Sequence, residues 1–473
     1  MKSKLTSFAI ALSMALFLVF TAGCSDDDAT PIGPDMGSGA QLRVVHASPD
    51  APAVDVYVEG VASPLITNLG YGATSSYLDV DPGTYNIQIR PAGAPASSTP
   101  VFETGDVPIA ADLKITAVAA GLIGGTPGPS EEFRVILLVE NFDPAGAGNA
   151  IVRIVHASAD APTVAVDVGN DGNPEITNFE RFEDTGTAGV ALPAGENLQI
   201  AIWAGSPLER VTVFTTPKLP EGAELFVIAT GLLSKLPREI DGFSLLAVGP
   251  QGSIGFIRQN PVVFALHGSP DAPAVDIYAG AAELADNLSF GQLSSGIQVP
   301  PAAYTLDFRV HDNGPVAATV TTPTLEAGER YLAVATGFVG DATFTVLPLV
   351  DEFNLSTNSP LVRVLHASPD APTVDVGVVD GGFSAVPGLT DLSFGEASSA
   401  AGIAVPAAAL TLGVAPTTTT TPVATFDVTT TLGLRAFTVA AGSLLGTGES
   451  FRLILVNTSV FPWVAAEVFP NEG

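Results

Sequence analysis

The chain has 473 residues, with 18 Lys and Arg against 49 Asp and Glu for a formal charge of −31, and it is 47% apolar. A surface this acidic repels phosphate backbones, which excludes a nucleic-acid partner and favours divalent cations or basic surfaces instead. The single cysteine permits no intramolecular disulfide, so any domains must be stable through their apolar cores alone.

At the start of the chain, Lys2 and Lys4 precede an apolar run from Phe8 to Phe20, and Thr21, Ala22 and Gly23 lead to Cys24. A basic start, a short apolar core and small residues before a break are the parts of a signal peptide. The run is too short to span a bilayer as a stable helix. Because the break falls directly before the only cysteine, the ending resembles a bacterial lipobox. That resemblance implies that residues 1–23 are removed and that Cys24 is lipidated, with several acyl chains anchoring it at ~0.8 kcal/mol per buried methylene. The Ser25-Asp26-Asp27-Asp28 start resembles the export signal of some Gram-negative lipoproteins. The expectation is an outer-membrane lipoprotein exposed at the cell surface, with a periplasm-facing one as the alternative. Residues 24–40, rich in Asp, Gly and Pro without periodicity, read as a disordered stalk.

From residue 41 onward the chain repeats itself. Arg43-Val44-Val45-His46-Ala47-Ser48-Pro49-Asp50-Ala51-Pro52 returns with Arg153, His156, Ser158, Asp160 and Pro162, then with His267, Ser269, Asp271 and Pro273, and finally with Arg363, His366, Ser368, Asp370 and Pro372. Two further landmarks keep register. One is a turn of the type Val80-Asp81-Pro82-Gly83, matched at Leu192-Pro193, Val299-Pro300 and Val405-Pro406. The other is an apolar run ending in Gly121, Gly231, Gly337 or Gly442. Three landmarks in one order, four times, define four units. Their bounds read as 41–143, 150–250, 260–352 and 360–458, with 459–473 as a C-terminal tail and Gly- and Pro-rich linkers between them.

Within each unit apolar residues alternate, as in Asp55-Val56-Tyr57-Val58, and Gly, Pro, Asn and Asp punctuate at short intervals. No helical period appears after residue 24. The predicted fold is all-β, four tandem immunoglobulin-like β-sandwich domains, because the two halves of one unit do not resemble each other. A β-propeller with two blades per repeat is the alternative.

The His-Ala-Ser-Pro-Asp-Ala-Pro signature resembles the bacterial family called domain of unknown function 4397, which occurs in tandem in secreted and surface proteins. The resemblance implies location and repeat architecture and no known activity. Physically the motif is a strand entering a tight turn. Alternation sets His46 and Ser48 on one face and Val45 and Ala47 on the other, Pro49 and Pro52 fix the corner, and Asp50 is placed to bond amides two residues on. On this reading His46 staples the turn, and Arg43–Asp55 and Arg363–Asp375 form cross-strand pairs. A second reading gathers His46, Asp50 and Asp55, with their copies His366, Asp370 and Asp375, into a ligand or cation site, calcium being the ion such carboxylates take. Ala165 in the second unit and Phe264 in the third break that pattern. Ser48 lies too close to His46 along one strand for nucleophilic catalysis, so no enzyme is expected. His311 reads as a loop residue, and Tyr57, Tyr71 and Tyr278 as the only candidates for a small sugar platform. The expected function is a structural or adhesive surface protein without a cofactor. Its partners are the membrane, through Cys24, and a cell-wall, glycan or protein surface; ligand recognition of glycan, peptide or calcium through loops is the alternative.

Overall fold

The computed structural model describes residues 39–124, 128, 131–312 and 314–472. The expected signal peptide, Cys24 and most of the expected stalk lie outside the described residues. Ala40, placed in the stalk by its composition, already opens the first strand.

The first repeat sets the pattern. β1 (Ala40–His46), β2 (Val54–Val58), β3 (Ile66–Leu69), β4 (Leu78–Val80), β5 (Gly83–Pro91), β6 (Phe102–Ile109), β7 (Lys114–Ala120) and β8 (Arg134–Val139) make two four-stranded sheets. One sheet runs β4-β1-β7-β8 and the other β3-β2-β5-β6. Neighbours are antiparallel except β1 and β7, which run parallel with His46 beside Ala119. Leu42 and Val44 from the first sheet meet Val54, Val56 and Ile89 from the second, as the alternation requires.

The other three repeats follow suit. Each histidine-bearing strand (Asn149–His156, Val262–His267, Leu361–Ala367) runs parallel to the strand that precedes the landmark glycine (Glu224–Thr230, Arg330–Thr336, Arg435–Ala441). The described residues contain no helix, and no sheet closes into a barrel or propeller. The architecture is four tandem β-sandwiches.

Two segments depart from the expected boundaries. Gly252–Ile257, read as linker, adds a fifth strand to a second-domain sheet beside Ser244–Gly249. Val464–Val468, read as tail, adds a fifth strand to the fourth domain beside Arg452–Asn457, and Trp463 next to it is buried. Both segments are short edge strands whose flanking turn residues dominate their composition and hide them.

The domains do not stand apart from one another. The β1-bearing sheet has a second apolar face, and in the first domain Val45, Val118 and Leu138 on that face pack against Phe226, Ile228 and Leu246 of the second. The third and fourth domains pair likewise, Phe264 and Leu332 meeting Phe437 and Ile454. Each such side chain contributes about 1.5–3 kcal/mol by leaving water. The four domains therefore stand as two face-to-face pairs, and the described residues from Gly39 onward belong to one compact unit.

Candidate functional site

The repeated motif sits where β1 leaves its sheet. His46 and its three copies are each at most 2% exposed. In every domain the imidazole Nε2 faces the carbonyl of the motif's second proline, His46 to Pro52 at 3.1 Å, His156 to Pro162 at 3.0 Å, His267 to Pro273 at 3.1 Å and His366 to Pro372 at 3.0 Å. A carbonyl only accepts, so Nε2 carries the proton and Nδ1 is left as an acceptor. In the first domain the Ser48 N–H donates to it at 3.4 Å. Among the described residues the Nδ1 atoms of His156, His267 and His366 have no hydrogen-bond partner. Burial therefore holds all four histidines below their ordinary pKa, and each is neutral.

The serine and the first aspartate reach across the domain. Ser48 Oγ donates to the Gly121 carbonyl at 2.7 Å, and Ser158, Ser269 and Ser368 do the same to Gly231, Gly337 and Gly442. The Asp50 carboxylate accepts the amides of Ile123 at 3.1 Å and Gly124 at 2.6 Å, in place of amides two residues along. Asp160 accepts from Leu233 and Ser234, Asp271 from Val339 and Gly340, and Asp370 from Leu444 and Leu445 with Ser443 Oγ added. These bonds hold Asp370 below the usual carboxylate range against the opposing pull of burial. The motif thus ties the β1–β2 corner to the loop after β7, 73 residues away. The landmark glycines belong to the same device. Gly121 has φ +85°, and a Cβ there would strike the backbone of Glu132; Gly231, Gly337 and Gly442 are equally confined.

The motif arginine acts outward. Arg43 Nη1 donates to the Gly249 carbonyl of the second domain at 2.6 Å, and Arg153 of the second domain donates to Val139 of the first at 2.7 Å. The β7–β8 and Glu224–Thr230/Ser244–Gly249 registers make Val139 and Gly249 equivalent, so the two bonds are reciprocal. Arg363 repeats the bond to Val350 of the third domain at 2.9 Å. Where the fourth arginine would stand, Phe264 stacks on Trp463 with ring centroids 4.5 Å apart. Arg43 is also paired with Glu140 at 3.5 Å, beside Lys114 at 3.1 Å. Burial pushes the Glu140 carboxyl up, but bonds from Thr116 and Tyr77 and the Arg43 charge outweigh it and hold it low.

The expected Arg43–Asp55 and Arg363–Asp375 pairs do not form, because the corner sends β2 into the other sheet. Asp55 instead accepts the amides of Asn68 at 2.7 Å and Gly93 at 2.8 Å. Asp375 accepts from Asp391 N–H and Thr417 Oγ. Neither His46, Asp50 and Asp55 nor His366, Asp370 and Asp375 converge: among the described residues the one group whose ligand atoms share a small sphere is Asp276, Asp286 and His311. His311 is thus more than a plain loop residue. Its Nδ1 lies 2.8 Å from Asp276 Oδ1 and 3.3 Å from Asp286, and the hydrogen bond to Asp276 raises its pKa. Tyr57 and Tyr71 make no sugar platform: Tyr57 is buried with its hydroxyl on Ala94, and Tyr71 packs on Phe256 of the second domain.

No curated protein matches the chain at a significant level. Among solved structures, the Bacillus anthracis TIE protein aligns over 87% of this chain and 68% of its own at 11% identity, with a TM-score of 0.14 that carries no argument. The family model described as a domain of unknown function, DUF4397, matches residues 40–167, 262–377 and 360–468, each match beginning at or close to a histidine-bearing strand. With its repeated staple and well over half its length accounted for, the chain belongs to the DUF4397 family.

Proposed function

We propose that the protein is a non-catalytic structural or adhesive lipoprotein of the outer membrane, tethered through lipid on Cys24 and presenting its paired sandwiches at the cell surface. The observation that carries this reading is the direction in which the repeated polar groups face. Histidine, serine and aspartate of all four motifs are spent on their own domain's backbone, and three motif arginines on the neighbouring domain's. Chemistry repeated four times and consumed in holding corners and pairing domains builds a rigid scaffold. Glycan, peptide or calcium recognition by the same motif residues draws no support from this geometry.

Two experiments test the reading. Cells carrying Cys24→Ala are fractionated, and the chain is expected to move from the membrane to the soluble fraction; unchanged membrane association removes the lipoprotein reading. Intact cells carrying the native chain are then scored for attachment to cell-wall material and to glycan-coated surfaces, with and without calcium. His46→Ala is expected to reduce attachment only as far as it reduces the folded fraction. Abolished attachment by a fully folded His46→Ala chain overturns the scaffold role of the motif.

A further inference from the structure

The four sandwiches share a plan but not a filling. Between the sheets of the second domain lies a cavity of about 240 Å³, whereas the corresponding spaces of the third and fourth domains hold about 70 and 60 Å³. The contrast with the third domain is legible position by position; the fourth domain has Leu410 and Ala436 at the same two positions, so its small space has a different filling. The sheet registers make Leu198 the counterpart of Tyr85 and Tyr304, and Leu225 the counterpart of Tyr331. In the third domain the Tyr304 hydroxyl donates to the Pro300 carbonyl at 2.6 Å, and the Tyr331 hydroxyl accepts the Glu326 amide at 2.9 Å. Both rings line what remains of that domain's interior space and close the end of the sandwich remote from the histidine. The second domain has two leucines there and no ring at either position.

The resulting cavity runs from His156 at the motif end to the Thr216–Pro220 connection at the other, and its wall is hydrocarbon almost throughout, Ile154, Val166, Ile202 and Leu225 among it. A hydrocarbon-lined space of this kind excludes water and accepts apolar guests; engineered cavities of roughly 150 Å³ take up benzene. The single charged residue of the lining is Lys218, on the connection at the mouth. Lys218 is exposed and has no ion-pair partner among the described residues, in a chain where acidic groups outnumber basic ones by 49 to 18. Its ammonium is therefore available to pair with an anion at that point.

We infer that the interior of the second domain is a binding site for a small amphiphile, an alkyl carboxylate whose chain fills the cavity and whose carboxylate meets the Lys218 ammonium at its mouth. The corresponding spaces of the third and fourth domains are too small to share the site. It is independent of the scaffold role, since none of the motif's bonds has to change for the cavity to fill.

The experiment titrates the full chain with octanoate and, in parallel, with octan-1-ol, by calorimetry and by the shift of thermal unfolding. One octanoate per chain is expected to bind and to raise the unfolding temperature. Lys218→Ala should weaken octanoate about fivefold, the worth of an exposed ion pair, and leave octan-1-ol unchanged. Leu225→Tyr, which gives the second domain the third domain's ring, and Ala247→Leu, which fills the cavity from the same sheet's neighbouring strand, should each abolish binding of both probes. Two space-filling variants are used so that one that fails to fold leaves the other to decide. Absence of binding to the native chain, or binding that survives in a folded space-filled variant, overturns the inference. Equal weakening of both probes by Lys218→Ala overturns the role of the lysine.

Discussion

Lowering the pH tests the staple directly. Each motif imidazole donates from Nε2 to a proline carbonyl, and its Nδ1 either accepts the Ser48 amide or, at His156, His267 and His366, faces no partner. Protonation would place a second N–H on Nδ1 with nothing to receive it, in a site at most 2% exposed. The folded-state pKa therefore lies below the ordinary 6.5 in all four domains. The unfolded chain then binds protons that the folded chain refuses. Stability from this source is complete above pH 6.5 and is lost as pH falls below it, until the folded pKa is reached, at up to about 1.4 kcal/mol per pH unit for each histidine. His311 works in the opposite sense. Its pKa is raised by Asp276, so its contribution is complete below 6.5 and fades as pH rises through the folded value, which offsets the third domain's loss. Urea unfolding at a series of pH values from about 7.5 to 5, above the range in which most carboxylates titrate, reads the slope. His46→Gln should flatten it by one histidine's share, and imidazole proton resonances should titrate below 6.5 at positions 46, 156, 267 and 366. A motif imidazole titrating at or above 6.5, or an unaltered slope in the variant, refutes the reasoning.

Arg43→Ala removes the bond to Gly249 and one of the two cations beside the buried Glu140, which keeps Lys114, so it should cost about 2 kcal/mol in urea unfolding. Arg363→Ala loses one bond to Val350 and should cost about 1 kcal/mol; equal costs would deny the role of the Glu140 pair. Gly121→Ala, at positive φ against the Glu132 backbone, should cost more than about 2 kcal/mol, while Gly83→Ala, whose φ is ordinary and whose nearest neighbour is the movable Tyr85 ring, should cost under about 1 kcal/mol by the same measurement. Asp50→Ala should lower hydrogen-exchange protection at the Ile123 and Gly124 amides and leave the β5 amides as they are, and protection lost evenly across the domain would mean that the carboxylate is not a local clamp.

Period-two alternation carried far in this chain. It set His46 and Ser48 apart from Val45 and Ala47, and the structure puts the first two on the domain's own backbone and the second two on its neighbour. The paired arrangement was legible as well, in a signal of another kind. Ile115–Ala120 and Phe226–Ala229 do not alternate, which is the mark of a strand buried on both faces, and a domain standing alone has no use for a second apolar face. Arg43 and Asp55 look like strand partners because a tight turn lies between them. Pro49 and Pro52 deny that turn the amides of a hairpin ladder, so the chain crosses to the opposite sheet. Asp50 shows nothing local that points to Ile123. A carboxylate clamping a loop 73 residues away is visible only as a glycine that ends an apolar run in every unit that has the aspartate. Phe264 read as a lost arginine, and its meaning lay in Trp463, within a stretch whose turn residues concealed a strand.

The parallel pairing of β1 with β7 bears on mechanical load. A chain held by its N-terminus receives tension along β1, whose residues from Gln41 to His46 lie in register with Lys114 to Ala119. Because the two strands point the same way, pulling on β1 slides it along β7 and strains all of those rungs together, where an antiparallel hairpin pulled from its open end would unzip rung by rung. The corner bonds of His46, Ser48 and Asp50 sit at the far end of the same strand and block the slide, and the Arg43 bond to the second domain carries some of the pull into the neighbouring sheet. Rupture under force is governed by the height of the unfolding barrier rather than by equilibrium stability. Tension applied at Gln41 along β1 is thus met by shear of the whole β1–β7 ladder rather than by unzipping.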